Sequence, residues 1–218
     1  MMREITAQDH AATLSAVAAL LVEKRDELCR LDGLIGDGDH GIAMATGFTA
    51  AAKAAGALDP ATATVADVYN AAAKALLDAI GASSGPLYAT ALMRAGKVGG
   101  ARPATPFDET PKLIAAMTEG IKARGQASEG DKTMLDAWAP AARAGEEALL
   151  KSRPPDEIVE AINIAAEAGA EATKAMVAAK GRSARLGERS RGHIDPGAAS
   201  AALVIGTLTG EWLRRAGG

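Results

Sequence analysis

Three carboxylates, Asp32, Asp37 and Asp39, fall within eight residues, in the stretch Leu31–Gly41 that also holds four glycines. Asp37 and Asp39 are two residues apart, so in an extended loop their side chains point the same way, and Asp32 can fold back toward them. Like charges this close repel unless a cation sits among them or water screens them. Hard oxygen ligands suit Mg²⁺ or Ca²⁺. An EF-hand is excluded, because the twelfth position counted from Asp37 is Phe48, where a bidentate Glu is required. Mg²⁺ takes a few carboxylates and completes its shell with water and phosphate oxygens, and is the better match. The alternative is a solvated turn made of Asp and Gly, both common turn formers.

Three further stretches carry residues that a plain connector does not need. Gly81-Ala82-Ser83-Ser84-Gly85-Pro86 sets two hydroxyls and exposed backbone N–H groups before a helix, an arrangement that attracts anions. An ordinary serine N-cap is the competing reading. Gly130-Asp131-Lys132-Thr133-Met134 puts a cation beside a hydroxyl at another helix start, without the Gly-x-x-x-x-Gly-Lys pattern of a P-loop. Alone, it too reads as a cap. Gly181–Gly197 contains Arg182, Arg185, Arg189 and Arg191, four arginines in ten residues. Their forks suit phosphate, and a solvated basic loop is the alternative. His40 and His193 sit inside these stretches, whereas His10 has no such context. A metal site, phosphate cradles and a cationic segment are together what phosphoryl transfer needs. The acidic and basic groups are expected on opposite sides of one phosphate chain. No dinucleotide-binding glycine pattern, protein-kinase signature, Cys/His zinc set or Gly-x-Ser-x-Gly elbow occurs.

The elements that must position these groups read as eight helices. The first spans about Gln8–Arg30, with Leu14, Val17, Leu21 and Leu28 near a 3.6-residue period. The second runs from Ile42 to Ala55. The third follows a capping box of Thr64 and Asp67 and runs to Ile80. The fourth begins after Gly85 and runs to about Lys97. Thr110-Pro111 is expected to cap and open the fifth. The sixth spans from Asp131–Thr133 to Lys151, and a long seventh runs from Pro154 to about Lys180. Asp195-Pro196-Gly197 opens the eighth, which closes at Gly217. No segment alternates like a strand, and no internal repeat or linker appears. The expectation is one all-α domain over residues 1–218, with sequential helices as antiparallel neighbours.

Composition agrees. About a quarter of the 218 residues are alanine, a strong helix former, and only 3% are aromatic. Lys and Arg number 24 against 27 Asp and Glu, a balance of −3, which argues against nucleic-acid binding. The single Cys29 excludes an intramolecular disulfide and fits a reducing compartment. No signal peptide is visible, and neither apolar stretch, Ala11–Val22 nor Ala198–Leu208, has the roughly 20 residues that span a bilayer. A cytoplasmic protein is expected.

Gly36-Asp37-Gly38-Asp39-His40-Gly41, Ser83-Ser84-Gly85-Pro86-Leu87-Tyr88, Gly130-Asp131-Lys132-Thr133-Met134 and Gly187–Gly197 together resemble the nucleotide-binding L subunit of bacterial dihydroxyacetone kinases, in order and with matching spacing. The resemblance implies a closed barrel of eight antiparallel helices with the nucleotide across one end. It implies that Asp32, Asp37 and Asp39 hold two Mg²⁺ ions and that His40, Gly41, Ile42 and Ala43 start a helix beside the nucleotide. Ser83 and Ser84 would bind phosphate, and Gly125 and Met134 would line the adenine side. Arg182 and the turn Asp195-Pro196-Gly197 would close over the nucleotide, Arg182 offsetting charge on the transferring group. The family often has Thr-Asn where this chain has Ile42-Ala43.

The resemblance also implies ADP or ATP as the bound nucleotide and a K-type subunit that holds the ketose covalently and supplies the general base. An M-type phosphocarrier of the phosphotransferase system and a dimer within the hetero-complex are further implications. An acceptor such as erythrulose and a nucleotide-sensing module without turnover are the alternatives.

Overall fold

A computed structural model describes residues 3–217. Among them are nine α-helices: α1 (Ala7–Glu23), α2 (Arg25–Ile35), α3 (His40–Gly56), α4 (Val65–Ala79), α5 (Ser84–Gly99), α6 (Thr110–Gly125), α7 (Leu135–Leu150), α8 (Pro155–Ala172) and α9 (Pro196–Ala216). The ninth arises because the expected first helix bends at Lys24. Helical hydrogen bonding continues through the bend, with the Lys24 N–H donating to the Leu20 carbonyl and the Leu28 N–H to the Lys24 carbonyl. Two two-residue strands, β1 (Ile5–Thr6) and β2 (Ala104–Thr105), pair antiparallel with Ile5 opposite Thr105, where the sequence suggests none.

Sequential helices pack as neighbours: α3 on α4, α4 on α5, α5 on α6, α6 on α7, α7 on α8 and α8 on α9, while α1 touches both α3 and α9. The result is a packed bundle and not the closed barrel expected, because the interior is filled. Trp138, Trp212, Tyr69, Tyr88 and Phe48 are each at most 1% exposed, and the sixth aromatic, Phe107, is buried as well. With so few large side chains, alanine faces do the remaining packing and let backbones approach closely. Gly169 on α8 shows how closely: a Cβ there would lie 2.0 Å from the Asp136 carbonyl oxygen of α7.

The helix ends follow local chemistry. Thr64 and Asp67 form the expected capping box, and Thr6 and Asp9 form a second at the start of α1. At α6 the cap is Glu109, and Thr110 is already helical. The α7 helix starts at Leu135, later than expected, because the Asp136 carboxylate accepts the Gly130 and Thr133 N–H groups and holds the preceding residues in a turn. The α8 helix stops at Ala172 instead of Lys180. A 3₁₀ turn (Thr173–Ala175) follows, and the Thr173 carbonyl is turned toward Lys132. The arginine-rich stretch, expected to be loop, forms a 3₁₀ segment over Arg182–Ser190 with a kink at Gly187, φ 53°.

His10 is fully buried away from the loops discussed above. Its Nδ1 is 2.9 Å from the Tyr69 hydroxyl, and its Nε2 is 2.8 Å from Thr105 Oγ1. These bonds tie α1 to α4 and to β2. Burial lowers its pKa to about 4.

Candidate nucleotide and metal site

One end of the bundle holds a cavity of about 450 Å³. It is framed by the ends of α2 and α6 and by the starts of α3, α5 and α9, an arrangement that follows from the antiparallel order. Three helix N-termini therefore share one cavity, each bringing the positive end of a helix dipole. The residues before α3 and α5, Asp39 and Ser83, make no side-chain cap. The simple serine cap considered for Ser83 therefore does not form, while at α3 the Asp39 and His40 N–H groups are taken by Asp32. The α9 helix is capped by Asp195, whose Oδ2 accepts the Ala198 N–H at 2.8 Å.

Asp32, Asp37 and Asp39 meet at the cavity wall, each with one oxygen within 4.8 Å of the others. Asp32 lies in the last turn of α2. Its Oδ2 accepts the backbone N–H groups of Gly38, Asp39 and His40 at 2.9, 3.0 and 3.3 Å. The loop closes tightly enough that a Cβ on Gly36 would lie 2.1 Å from Asp32 Oδ1. The Arg182 guanidinium reaches Asp37 in a direct ion pair. This corrects the expectation that acidic and basic groups stand apart: Arg182 crosses to the carboxylate side. Arg185, Arg189 and Arg191 line no part of the cavity.

Of the nucleotide-binding residues expected, His40, Ala43, Ser83, Ser84, Gly125, Met134, Arg182, Asp195, Pro196 and Gly197 line this cavity together. Gly41 and Ile42 do not. Gly41 packs against α2, where a Cβ would lie 1.9 Å from the Arg25 carbonyl oxygen. Ile42 is 55% exposed on a separate groove with Val22, Arg25 and Cys29. Both follow from helix geometry, since consecutive residues point about 100° apart and only His40 and Ala43, three apart, share the inner face.

His40 Nε2 is 2.8 Å from Ser200 Oγ, and that hydroxyl donates to the Gly197 carbonyl at 3.0 Å. Burial lowers the His40 pKa. Ser84 Oγ is buried on the cavity wall and has no protein partner. Asp195 is buried, and burial raises its pKa to about 7 despite the Ala198 N–H and the nearby charge of Lys132.

Lys132, read from the sequence as a phosphate-side cation, does something different. Its Nζ donates to the Thr173 carbonyl at 2.6 Å and the His193 carbonyl at 2.5 Å, joining the two ends of the segment that carries Arg182. The residue itself sits at φ 60°, a left-handed conformation. Burial pushes its pKa down, against the pull of Asp195 and Asp136. Ser200 and Thr173 escaped the sequence reading because a lone hydroxyl on a helix gives no local signal. Arg124 and Lys180 also line the cavity, and single basic residues at the end of α6 and in the loop after α8 gave no local pattern to mark them.

Fold and site together define a helical unit with a carboxylate cluster, helix N-termini and Arg182 converging on a single cavity. The family described as "DAK2 domain" matches residues 34–210, and the chain belongs to that family. Among its relatives is the ADP-binding subunit DhaL of PEP-dependent dihydroxyacetone kinase 1 from Listeria innocua, 41% identical over 183 residues, covering 84% of this chain and 85% of that one. L-erythrulose 1-kinase from Mycolicibacterium smegmatis is 36% identical over 96% of this chain but only 36% of its own length. In three dimensions the chain is similar to the crystal structure of C. freundii dihydroxyacetone kinase in complex with AMP-PNP and Mg²⁺, with a TM-score of 0.67 and 25% identity. That alignment covers 96% of this chain and 35% of the kinase, so this chain spans about a third of it.

Proposed function

We propose that this chain is the nucleotide-carrying subunit of a dihydroxyacetone kinase, presenting a phosphoryl group to a ketose held on a separate K-type subunit. The observation that carries the reading is the meeting of three carboxylate oxygens, within 4.8 Å of one another, with the N-termini of α3 and α5 in one cavity. The near-complete match to an ADP-binding subunit, against a one-third match to a single-chain ketose kinase, supports a subunit acting with partners. The PEP dependence of the Listeria relative's kinase supports a donor cycle in which ADP stays bound and an M-type phosphocarrier recharges it.

The donor set fits magnesium. Three hard carboxylates face one another, and a buried, unpartnered Ser84 hydroxyl lies on the same cavity wall. Asp32, Asp37 and Asp39 would hold Mg²⁺, in our reading two ions, and bound magnesium offsets phosphate charge during transfer. The chain's own residues do the rest. N–H groups at the start of α5 bind phosphate oxygens, Ser84 Oγ donates to one, and the α3 dipole adds positive potential. Arg182 adds positive charge at the transferring group, a contribution realised as charge develops. Met134 and Gly125 give the base an apolar wall. In this reading the ketose and the general base belong to the partner.

Calorimetry with ADP after exhaustive dialysis tests the proposal. Mg²⁺-dependent ADP binding at one per chain is the expected result, and Asp37→Asn removes it without loss of helicity. No Mg²⁺-dependent nucleotide binding overturns the reading. Retention of stoichiometric ADP through dialysis selects the phosphocarrier cycle, and rapid exchange selects ATP as a free substrate.

A further inference from the structure

Three arginines singled out by the sequence take no part in the cavity, and they share one segment. Residues 174–193 hold six of the chain's 24 basic residues and one acid, Glu188, so the segment carries +5; with −3 overall, the remainder carries −8. Lys174 pairs with Glu171, Arg191 with Glu188 and Arg182 with Asp37. Arg185 and Arg189 are exposed, have no ion-pair partner among the described residues, and lie outside the cavity lining.

Arg185 follows Arg182 by three residues within the 3₁₀ segment, and in that geometry side chains at i and i+3 eclipse. It therefore continues the edge on which Arg182 stands, about 6 Å further along the segment axis. The segment is fixed in place. Lys132 joins its two ends, the Gly192 N–H donates to the Lys174 carbonyl at 2.8 Å, and Ser190 Oγ accepts the Ala178 N–H at 2.9 Å. Two held cations without ion-pair partners among the described residues, Arg185 and Arg189, on an otherwise acidic molecule make a directional field, and such fields set the orientation and rate of association.

We propose that Arg185 and Arg189 form a docking surface for a carboxylate-rich face of the protein subunit that carries the phosphoryl acceptor. The inference rests on the subunit reading given above, because an acceptor held on another protein must be brought to this cavity. An acidic face is repelled by the net −8 of the remainder and attracted by this edge, which borders the cavity through Arg182. Docking there places the partner over the phosphate end.

The test is the association rate, by stopped flow, of the Mg–ADP-loaded chain with the ketose-binding subunit purified from the same cells, at low and high salt. The double variant Arg185→Glu, Arg189→Glu should associate about 10–100-fold more slowly at low salt, with the difference closing at high salt. The Arg185→Lys, Arg189→Lys variant should keep the fast rate, since a field depends on charge and not on the guanidinium fork. Mg–ADP affinity should stay within about twofold in both, showing that the segment is still folded over the cavity. A charge-reversed chain that associates at the unaltered rate and salt dependence overturns the docking surface. So does a loss of Mg–ADP affinity, which would assign these arginines to the nucleotide. An unaltered chain that binds no Mg–ADP overturns the subunit reading instead.

Discussion

Asp32 Oδ2 accepts the backbone N–H of Asp39 at 3.0 Å, so one carboxylate of the cluster builds the turn that presents another. Asp37 has no such task and, among the described residues, pairs only with Arg182. The two should separate on mutation. Asp32→Ala removes a charged acceptor from three N–H groups and should cost about 2 kcal/mol of stability, together with Mg²⁺-dependent ADP binding. Asp37→Asn relieves like-charge repulsion and should lose binding while its urea midpoint stays or rises. Equal destabilisation of both variants would contradict this division of labour.

Lys132→Met should loosen the arginine-bearing segment, because the carbonyls of Thr173 and His193 lose their shared donor. Two buried acceptors left without a partner cost about 2–3 kcal/mol. Limited trypsin digestion reads this directly. Cleavage within residues 182–191 should speed up about tenfold or more, ahead of cleavage in the helices. Unchanged protection of that stretch would show that the Lys132 bonds do not anchor it.

His10 makes stability pH-dependent. Its folded pKa of about 4 lies below the ordinary value of 6.5, so between those values the unfolded chain binds the proton that the folded chain refuses. The contribution is fully present above pH 6.5 and is lost as the pH falls toward 4. It amounts to about 3 kcal/mol. In urea titrations the stability advantage of the unaltered protein over His10→Gln should shrink by roughly that amount from pH 7 to pH 4. A constant difference across the range would mean that His10 is protonated in its buried setting.

Gly41→Ala tests whether the residue beside the carboxylate loop acts by packing. The new Cβ would lie 1.9 Å from the Arg25 carbonyl oxygen, so α3 must move off α2. A cost of about 1–3 kcal/mol is expected, with weaker Mg²⁺-dependent ADP binding as the loop shifts. Full stability in thermal unfolding would show that the two helices have slack at this contact.

Much of the site was legible because its residues are close in sequence. Asp32, Asp37 and Asp39 needed only a glycine-rich turn to meet, and the capping box at Thr64 is encoded in four residues. The inner face of α3 was half legible. Helical spacing selects His40 and Ala43, yet a run read as a block included Gly41 and Ile42, which face elsewhere. The arginines were legible as a cluster but not as individuals, since a 3₁₀ segment with a kink at Gly187 sends only Arg182 to Asp37.

By itself the sequence determined an all-helical chain, its helix starts to within a few residues, and a carboxylate loop suited to a hard cation. These rest on local chemistry: alanine's propensity, caps, glycine turns and short-range charge. Only the tertiary structure decided that Lys132 anchors a distant segment at Thr173 and His193, that Ser200 meets His40, and that His10 is a neutral core residue. Each is a contact between residues far apart in the chain. Burial and packing geometry, not local pattern, choose the partner.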